Sequence, residues 1–406
     1  MAEDKDNITL EVNGQEYGGW LSAQVVTGLD QIASQFAVEV TEQYPGGSIR
    51  IRPGDKVTVR LGDSTVVTGY VDRTPVSYDA TSVTHNVSGR SRTADLADCC
   101  IETGIETETK VAAKKADTGL GRYAGIKYQA DGTKLSTERP KVTAAPKASQ
   151  WRKIDVGQTI AAMIDPYGIQ LKTDLNGVKT LDKVSVSVGT KVAEAIKTLV
   201  QKMNYLVTDD EFGDLVLWSP DAAQNATDAL VVNSDGLPSN VLEASAGFDY
   251  EQVFSDYIVF GQTKKSANVC STVVTSPALG VRRRVLKLFE SGAVDADTVT
   301  KRAQFESSYR LGKAKAATYT VQGWRQSDGS LWRKGMKVRI KDSIMNIDDE
   351  MIVEKVTYDL TEAGSTTQLD VVPVEALQTA EAAMAGWTGT RKASASVGAT
   401  SAEADA

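Results

Sequence analysis

Apolar and polar residues alternate through most of the first 90 positions, the period of a half-buried strand. Ile8, Leu10 and Val12 share one side of a run that ends at Asn13-Gly14, a dipeptide suited to a two-residue hairpin turn. Phe36, Val38 and Val40 alternate with Ala37 and Glu39. Val57, Val59 and Leu61 alternate with Thr58 and Arg60, between the turn residues Pro53-Gly54 and Gly62-Asp63-Ser64. Val83, His85 and Val87 fall on one face of a later strand. Many short strands with turns between them predict a small barrel or sandwich. A short helix is expected within Ser91–Cys100, where Leu96, Cys99 and Cys100 share one helical face as small core hydrophobes.

From Trp151 the period becomes helical. Ile160, Met163, Ile164 and Tyr167 form one stripe, ended by Pro166 and Gly168. Val192, Ile196, Leu199 and Met203 form a second, followed by a hairpin of Tyr205-Leu206-Val207 and Leu215-Val216-Leu217-Trp218 about a turn at Asp209–Gly213. Helix, strand, helix and hairpin in this span predict a compact α+β unit. Strand patterns return at Tyr257–Phe260. A third helix is predicted over about 297–314, with Asp297 as N-cap and Phe305, Tyr309, Gly312 and Ala316 facing inward. Strands are predicted at Ala317–Trp324, Leu331–Ile340, Met351–Leu360 and Thr366–Val372, with Asp328-Gly329 turning the chain between Trp324 and Trp332.

These patterns divide the chain, with approximate boundaries, into a first β-barrel (1–100), an inserted basic arm (101–150), an α+β domain (151–222), a second β-barrel with one helix (223–375) and a loosely ordered tail (376–406). The barrels could exchange strands. The arm, at 103–150, has few large apolar residues and nine Lys/Arg against five Asp/Glu. It is too long for an ordinary connection and reads as an extended segment that orders against another surface.

The two β-rich parts share a faint repeat. Arg52-Pro53-Gly54-Asp55-Lys56-Val57-Thr58-Val59-Arg60 resembles Arg333-Lys334-Gly335-Met336-Lys337-Val338-Arg339-Ile340-Lys341. The shared pattern is basic, x, Gly, x, Lys, apolar, x, apolar, basic. Each copy continues into a polar turn and another strand, as two related barrels would.

Composition narrows the function. The 406 residues are 41% hydrophobic and 24% charged, ordinary for a soluble globular protein of two to three domains. The net charge of −8 argues against whole-chain binding to nucleic acid. Three cysteines, two of them adjacent (Cys99 and Cys100), are no disulfide framework and point to a reducing compartment. No secretory signal or membrane-length apolar run is recognised, so membrane insertion is not expected. A single histidine, His85, excludes zinc sites built on several histidines and leaves one imidazole for any triad.

No GxxxxGK[ST], HExxH, CxxC pair or EF-hand loop is present. Gly119-Leu120-Gly121-Arg122-Tyr123-Ala124-Gly125 is off the dinucleotide spacing and follows no buried strand. Asp209-Asp210-Glu211 and Asp348-Asp349-Glu350 are carboxylate clusters, expected as solvated turn acids rather than a glycosidase pair. His85, mid-strand with no nucleophile pattern beside it, reads as a packed, hydrogen-bonded residue rather than a general base. The sequons at Asn86-Val87-Ser88 and Asn225-Ala226-Thr227 carry no weight without secretion. Arg282-Arg283-Arg284 with Lys287 reads as a solvated basic face, whereas the arm is as well suited to a partner contact within an assembly. No catalytic, cofactor-binding or metal residue is assigned.

Three blocks carry a family resemblance: ITLEVNGQEYGGWLSAQV at the start, GYVDRTPVSYDATSVTHNVSGRSRTADLADC, and VQGWRQSDGSLWRKGMKVRI late in the chain. In order and spacing they resemble the Mu-like bacteriophage baseplate hub family, also called the phage tail or late-control D type. QWRKIDVGQTIAAMIDPYGI looks like the first helix of that family's middle domain. The resemblance spans roughly 8–102 and 150–375; the arm is longer than in the Mu-like pattern, and the tail differs in composition.

The resemblance implies an α+β, β-rich fold with two similar small tube-like β-barrel domains per chain and a small α+β domain. It also implies a ring-shaped homotrimer with pseudo-sixfold symmetry. The function implied is a structural, non-enzymatic hub of a contractile tail, joining the hexameric tail tube to the trimeric membrane-puncturing spike and forming part of the genome-delivery channel. Implied partners are tube or distal tail proteins, the central spike, other baseplate (wedge) proteins, and DNA only in transit. The implied location is the virion baseplate, with assembly in the host cytoplasm. The alternatives are a tail-associated cell-wall-degrading enzyme, for which no motif block is visible, and a host-surface binding tail protein.

Overall fold

The computed structural model describes residues 7–41, 51–78, 83–101, 149–173, 180–187, 189–201, 205–220, 223–233, 236, 239–262, 269–293, 296–377 and 396–397. The chain opens with a hairpin of β1 (Ile8–Val12) and β2 (Gln15–Tyr17). Its turn residues Asn13 and Gly14 both take positive φ, 52° and 79°, as the Asn-Gly signal requires. There follow β3 (Ser22–Gly28), β4 (Gln35–Thr41), β5 (Lys56–Leu61), β6 (Ser64–Arg73), β7 (Val76–Tyr78) and β8 (Val83–Ser91). They pair in the order β3-β4-β8-β6-β5-β1-β2, with β7 also on β8. The alternating residues picked out by pattern, Ile8, Leu10, Phe36, Val38, Val57, Val59 and Leu61, are all buried in one core.

Helix α1 (Ala94–Asp98) stops one residue short of the cysteines. Cys99 is extended (φ −91°, ψ 149°), Cys100 bridges to Lys191, and both thiols are exposed. The expectation that they pack in the core is therefore corrected: backbone pairing to Lys191 pulls the chain out of the helix before their turn is complete.

The middle unit consists of β9 (Ser149–Asp155), α2 (Val156–Ile164), β10 (Leu171–Thr173), β11 (Thr180–Val186), α3 (Val192–Gln201), β12 (Leu206–Asp209) and β13 (Leu215–Trp218). Helix begins at Val156, not Trp151. Residues 151–155 are held as a strand by β11, with Trp151 opposite Val184 and Ile154 opposite Leu181. A distant partner decided that segment, and local periodicity could not reveal it. Gly168, at φ 65°, ends the turn after α2. Ile160, Met163, Ile164, Ile196 and Leu199 pack with Leu215 and Leu217, and with Leu96 and Ile101 from the end of the first unit. Met203, expected on the α3 stripe, lies outside the described residues.

The last part comprises β14 (Leu230–Val232), β15 (Val241–Ala246), β16 (Asp256–Gln262), β17 (Val269–Thr275), β18 (Val285–Ala293), α4 (Ala296–Lys313), β19 (Ala317–Gln322), β20 (Lys337–Asp342), β21 (Ile347–Thr361), β22 (Gly364–Pro373), α5 (Val374–Leu377) and β23 (Ser396–Val397). β16, β17 and β18 form a separate sheet, joined by β23, and α4 covers it with Val299 and Ala303 against Tyr257 and Val259. That sheet and helix interrupt the expected second barrel between β15 and β19. Asp297 lies inside the first turn of α4 rather than at its cap, and Tyr309 is exposed. The face toward β16 and β17 is set by the smaller Val299 and Ala303, so Tyr309 was misassigned as inward and Phe305 is only half-buried, whereas Gly312 is buried against Ala376 of α5 and Ala316 packs partly beside it, as expected. The residues expected as tail include 376–377, which close α5, and 396–397, which pair with β17; 378–395 and 398–406 are not described.

Two distant segments join the halves. β3 pairs antiparallel with β21, Gly28 opposite Lys355 through Ala23 opposite Leu360. The result is one 14-stranded sheet that runs β15-β19-β22-β21-β3-β4-β8-β6-β5-β1-β2, over a core that includes residues from Ile8 to Val371.

Within this sheet the same arrangement occurs twice. Gly54 and Gly335 both have positive φ, 90° and 81°. Gly54 N donates to Val71 O and Gly335 N to Val353 O, both at 2.8 Å; Val71 N donates to Asp55 O and Val353 N to Met336 O. A bulge follows in each copy, between Val71 and Arg73 and between Val353 and Lys355. Val76 stands opposite His85 as Tyr358 stands opposite Thr367. Phe36 faces Gly89 as Ala317 faces Val371. Val25 faces Phe36 as Ala246 faces Ala317. Thus β3, β4, β6–β7 and β8 correspond to β15, β19, β21 and β22. The copies diverge at β14, which lies parallel to β20, whereas β1 is antiparallel to β5.

Candidate functional site

The structure disperses the residues in which chemistry was sought. His85 is half-buried in β8, opposite Val40 of β4 and Val76 of β7. Asn86 lies beside it, and Asn225 bridges to Lys337. Asp348, Asp349 and Glu350 are exposed, but on β21 rather than in a turn; Arg339 pairs with Asp348. Of the basic cluster, Arg282 and Arg283 are exposed, whereas Arg284 is tied down. It donates to Tyr250 O and Glu251 O and lies 4.8 Å from the Phe254 ring centroid. The 103–148 arm, with Gly119–Gly125, lies outside the described residues. Among the described residues no three His, Cys, Asp or Glu side chains are grouped to hold a metal ion.

A groove over β3, β4 and β8 contains Arg90, Asp72 and Asp98. Arg90 bonds Asp72 at 2.6 Å and Asp98 at 2.8 Å. These bonds raise the guanidinium's pKa, and Arg90 holds Asp98 below the usual carboxylate range. Nearby, burial pushes Asp95 up. Asp98 is held as an ion and pairs with the arginine instead of carrying a transferable proton.

The other acidic cluster corrects the sequence reading. Asp209 was expected as a solvated turn acid, yet it is 1% exposed. It ends β12, and the β12–β13 hairpin drives it between the two halves of the large sheet. Ser34, from the β3–β4 connection, donates its backbone N–H to Oδ2 at 2.8 Å and its hydroxyl to Oδ1 at 2.9 Å. Lys334, from the turn before β20, places Nζ 2.5 Å from Oδ1 and 2.7 Å from Thr208 Oγ1. Thr208 in turn donates to Gly28 O at 2.8 Å, where β3 meets β21. One carboxylate thereby ties together the first unit, the middle unit and the second unit.

The rest of the hairpin widens the contact. Thr68 Oγ1 donates to Glu211 O at 2.8 Å, and Arg333 lies 3.5 Å from Glu211. Asp210 and Asp214 share Lys172, at 2.5 and 3.1 Å, and raise its pKa. Gly213 has φ +76°, and a side chain there would come within 2.6 Å of Thr68 O. Sequence reasoning found the residues of the cluster but not their burial. The only signal was a basic residue, Lys334, at the one position of the repeated turn where the other copy has Pro53.

A strand arrangement built twice in one chain, a third unit wedged at the seam, and acidic clusters held by basic partners are features of a protein built for assembly. Family comparisons agree. Residues 7–91 match the N-terminal domain of the Mu phage baseplate assembly protein GpP-like family. Residues 142–219 match the second domain of the baseplate hub protein gp44-like family, and residues 296–380 the fourth domain of Mu phage baseplate assembly protein GpP. The chain belongs to the Mu-type phage baseplate hub family, structural proteins of the phage tail. It is 25% identical to baseplate hub protein gp44 of Escherichia phage Mu over 386 residues, 91% of this chain and 88% of that protein. It is also similar to the 43 kDa tail protein of prophage MuSo2 from Shewanella oneidensis, with a TM-score of 0.73 and 26% identity over 92% of this chain and 100% of that one. A tail protein from Neisseria meningitidis MC58 shares the fold, with a TM-score of 0.71 and 16% identity over 92% and 98% of the two chains.

Proposed function

We propose that three copies of this chain form the hub ring of a contractile tail, a non-enzymatic adaptor between a hexameric tube and a threefold spike. The observation that carries the reading is the duplicated register within the sheet. Each chain offers two similar units, taken here as small barrels centred on 1–100 and 223–375. A closed trimer then presents six similar units on one face and three chains on the other. The seam between β3 and β21, pinned by Asp209, supports a role in transmitting force, because it couples the units by backbone hydrogen bonds rather than by a flexible linker. The channel through such a ring serves the genome in transit. The middle unit at 151–222 and the basic arm at 101–150 are suited to the spike and neighbouring baseplate proteins. The proposed setting is the virion baseplate, reached by assembly in the host cytoplasm.

The test is the mass of the purified chain in solution by light scattering, followed by imaging of the particle. The expected result is a species of three chain masses with six similar lobes around a pore. A stable dimer or tetramer would contradict the reading, since neither symmetry joins a threefold to a sixfold partner. Clearing of peptidoglycan by the pure chain would overturn its non-enzymatic part.

A further inference from the structure

We infer that the free edges of β7 and β15 are the two sides of an intermolecular seam, through which one copy of the chain pairs head to tail with the next, Val76 opposite Ala246. The inference rests on the trimeric reading above and gives it residues. Its template lies inside the chain. β3 pairs with the second half of β21, Lys355–Leu360. The repeated register maps those residues onto Arg73–Tyr78, and maps Ala23 and Val25 onto Ala244 and Ala246. Each chain therefore carries the seam once as a completed pair and once as two separated edges.

The two edges have the marks of a missing partner. β15 is the last strand of the sheet path, and β7 pairs with β8 alone among the described strands. In the completed seam Ala23, Val25, Val356 and Tyr358 are 4%, 0%, 0% and 2% exposed. At the corresponding open edges Val76 is 54% exposed, while Thr74, Ala244 and Ala246 are half-buried; beyond Val76, Tyr78 is 83% exposed. An exposed apolar strand edge is normally covered or blunted. Here the β7 edge is bare where its counterpart on β21 is buried, and the β15 edge is half-covered where β3 is buried.

Backbone direction agrees. Leu29 N donates to Glu354 O across the completed seam at 2.8 Å. Antiparallel pairs alternate between bonded and non-bonded, so Val356, Tyr358 and Leu360 turn their N–H and C=O groups toward β3. Their counterparts are Thr74, Val76 and Tyr78. On the other side of β7, Asn86 N donates to Pro75 O at 3.0 Å. Pro75 thus faces β8, and the donor it lacks is not one the outer edge needs.

The side chains are complementary in this register. Tyr78 falls opposite Ala244 and Val76 opposite Ala246, large against small. Ser77 falls opposite Ser245. These are the places of Asp359 and Gln24, whose side chains bond at 2.8 Å across the completed seam. One edge of each kind per chain makes the contact heterologous, and it closes into a ring of three when each copy is turned by a third of a revolution from the last.

The experiment is disulfide capture. Ser77→Cys and Ser245→Cys are introduced together in a Cys99→Ser, Cys100→Ser background, since a non-bonded antiparallel pair brings Cα atoms within disulfide range. Mild oxidation is expected to give a covalent species of three chain masses on a non-reducing gel. Ser77→Cys with Glu243→Cys, two residues out of register, should cross-link at least tenfold less. A second variant, Val76→Asp with Tyr78→Asp, is expected to keep the chain's circular dichroism and melting profile while abolishing association. A ring that assembles without the cross-link, or that survives the aspartate pair, overturns this register and leaves the hub reading standing. A chain that neither associates nor cross-links at any concentration overturns both.

Discussion

Pro53 and Lys334 occupy the same place in two copies of one turn, and Lys334 gives the middle unit an ion pair that the first copy cannot offer. Lys334 meets a carboxylate removed from water, so the pair stands or falls together. Removing one member of a buried pair leaves an uncompensated charge, a cost of about 3–5 kcal/mol. Asp209→Asn is therefore expected to lower stability by that order in chemical denaturation. Asp209→Leu combined with Lys334→Met should cost less than either change alone, and a double-mutant cycle measures the coupling. Asp209 also shows where sequence reading ends: three acids beside a glycine look like a solvated turn, and nothing local reports that another unit closes over them.

Buried phenols make the fold sensitive to alkali, Tyr257 among them. Burial pushes Tyr319 and Tyr358 above the usual phenol range, and the hydroxyls donate to Asp342 and to Trp332 O. Their neutral forms are favoured by the fold, so the stability they contribute is complete below an unfolded value of about 10. It is lost as pH rises toward the raised folded values. Unfolding is expected to set in above about pH 10 and to coincide with late tyrosinate absorbance. Tyr358→Phe should flatten that pH dependence.

At the scale of elements, the β12–β13 hairpin works as a wedge, and its tip has no room for a side chain. Gly213→Ala meets both an unfavourable φ and Thr68 O, and should cost about 1–3 kcal/mol, read as a lowered melting temperature with the middle unit loosening first in hydrogen exchange. Most strands were legible because each buries one face, and alternation then appears in the sequence, as at Ile8–Val12 and Lys56–Leu61. β9 was hidden because its partner, β11, comes 25 residues later and imposes a strand on a segment running into a helix. The sheet of β16–β18 was hidden as a unit because strand patterns do not say which sheet a strand joins. The repeat, by contrast, was visible in a nine-residue match, since the turn glycine and the inward Val/Ile positions are needed in both copies.

For the whole molecule, the comparison of the two copies is also a comparison of two seams. One joins β3 to β21 within a chain; the other, as inferred, joins chains. The first is intramolecular, so its partners face each other at an effective concentration that dilution cannot change. Only the second answers to mass action. A ring of six similar units would then assemble through three bimolecular contacts, with half of its joints already closed when each chain folds. That asymmetry frees the two copies to drift apart. The insertion between β15 and β19 and the reversed direction of β14 are divergences that six separate, identical subunits could not accumulate on alternate positions.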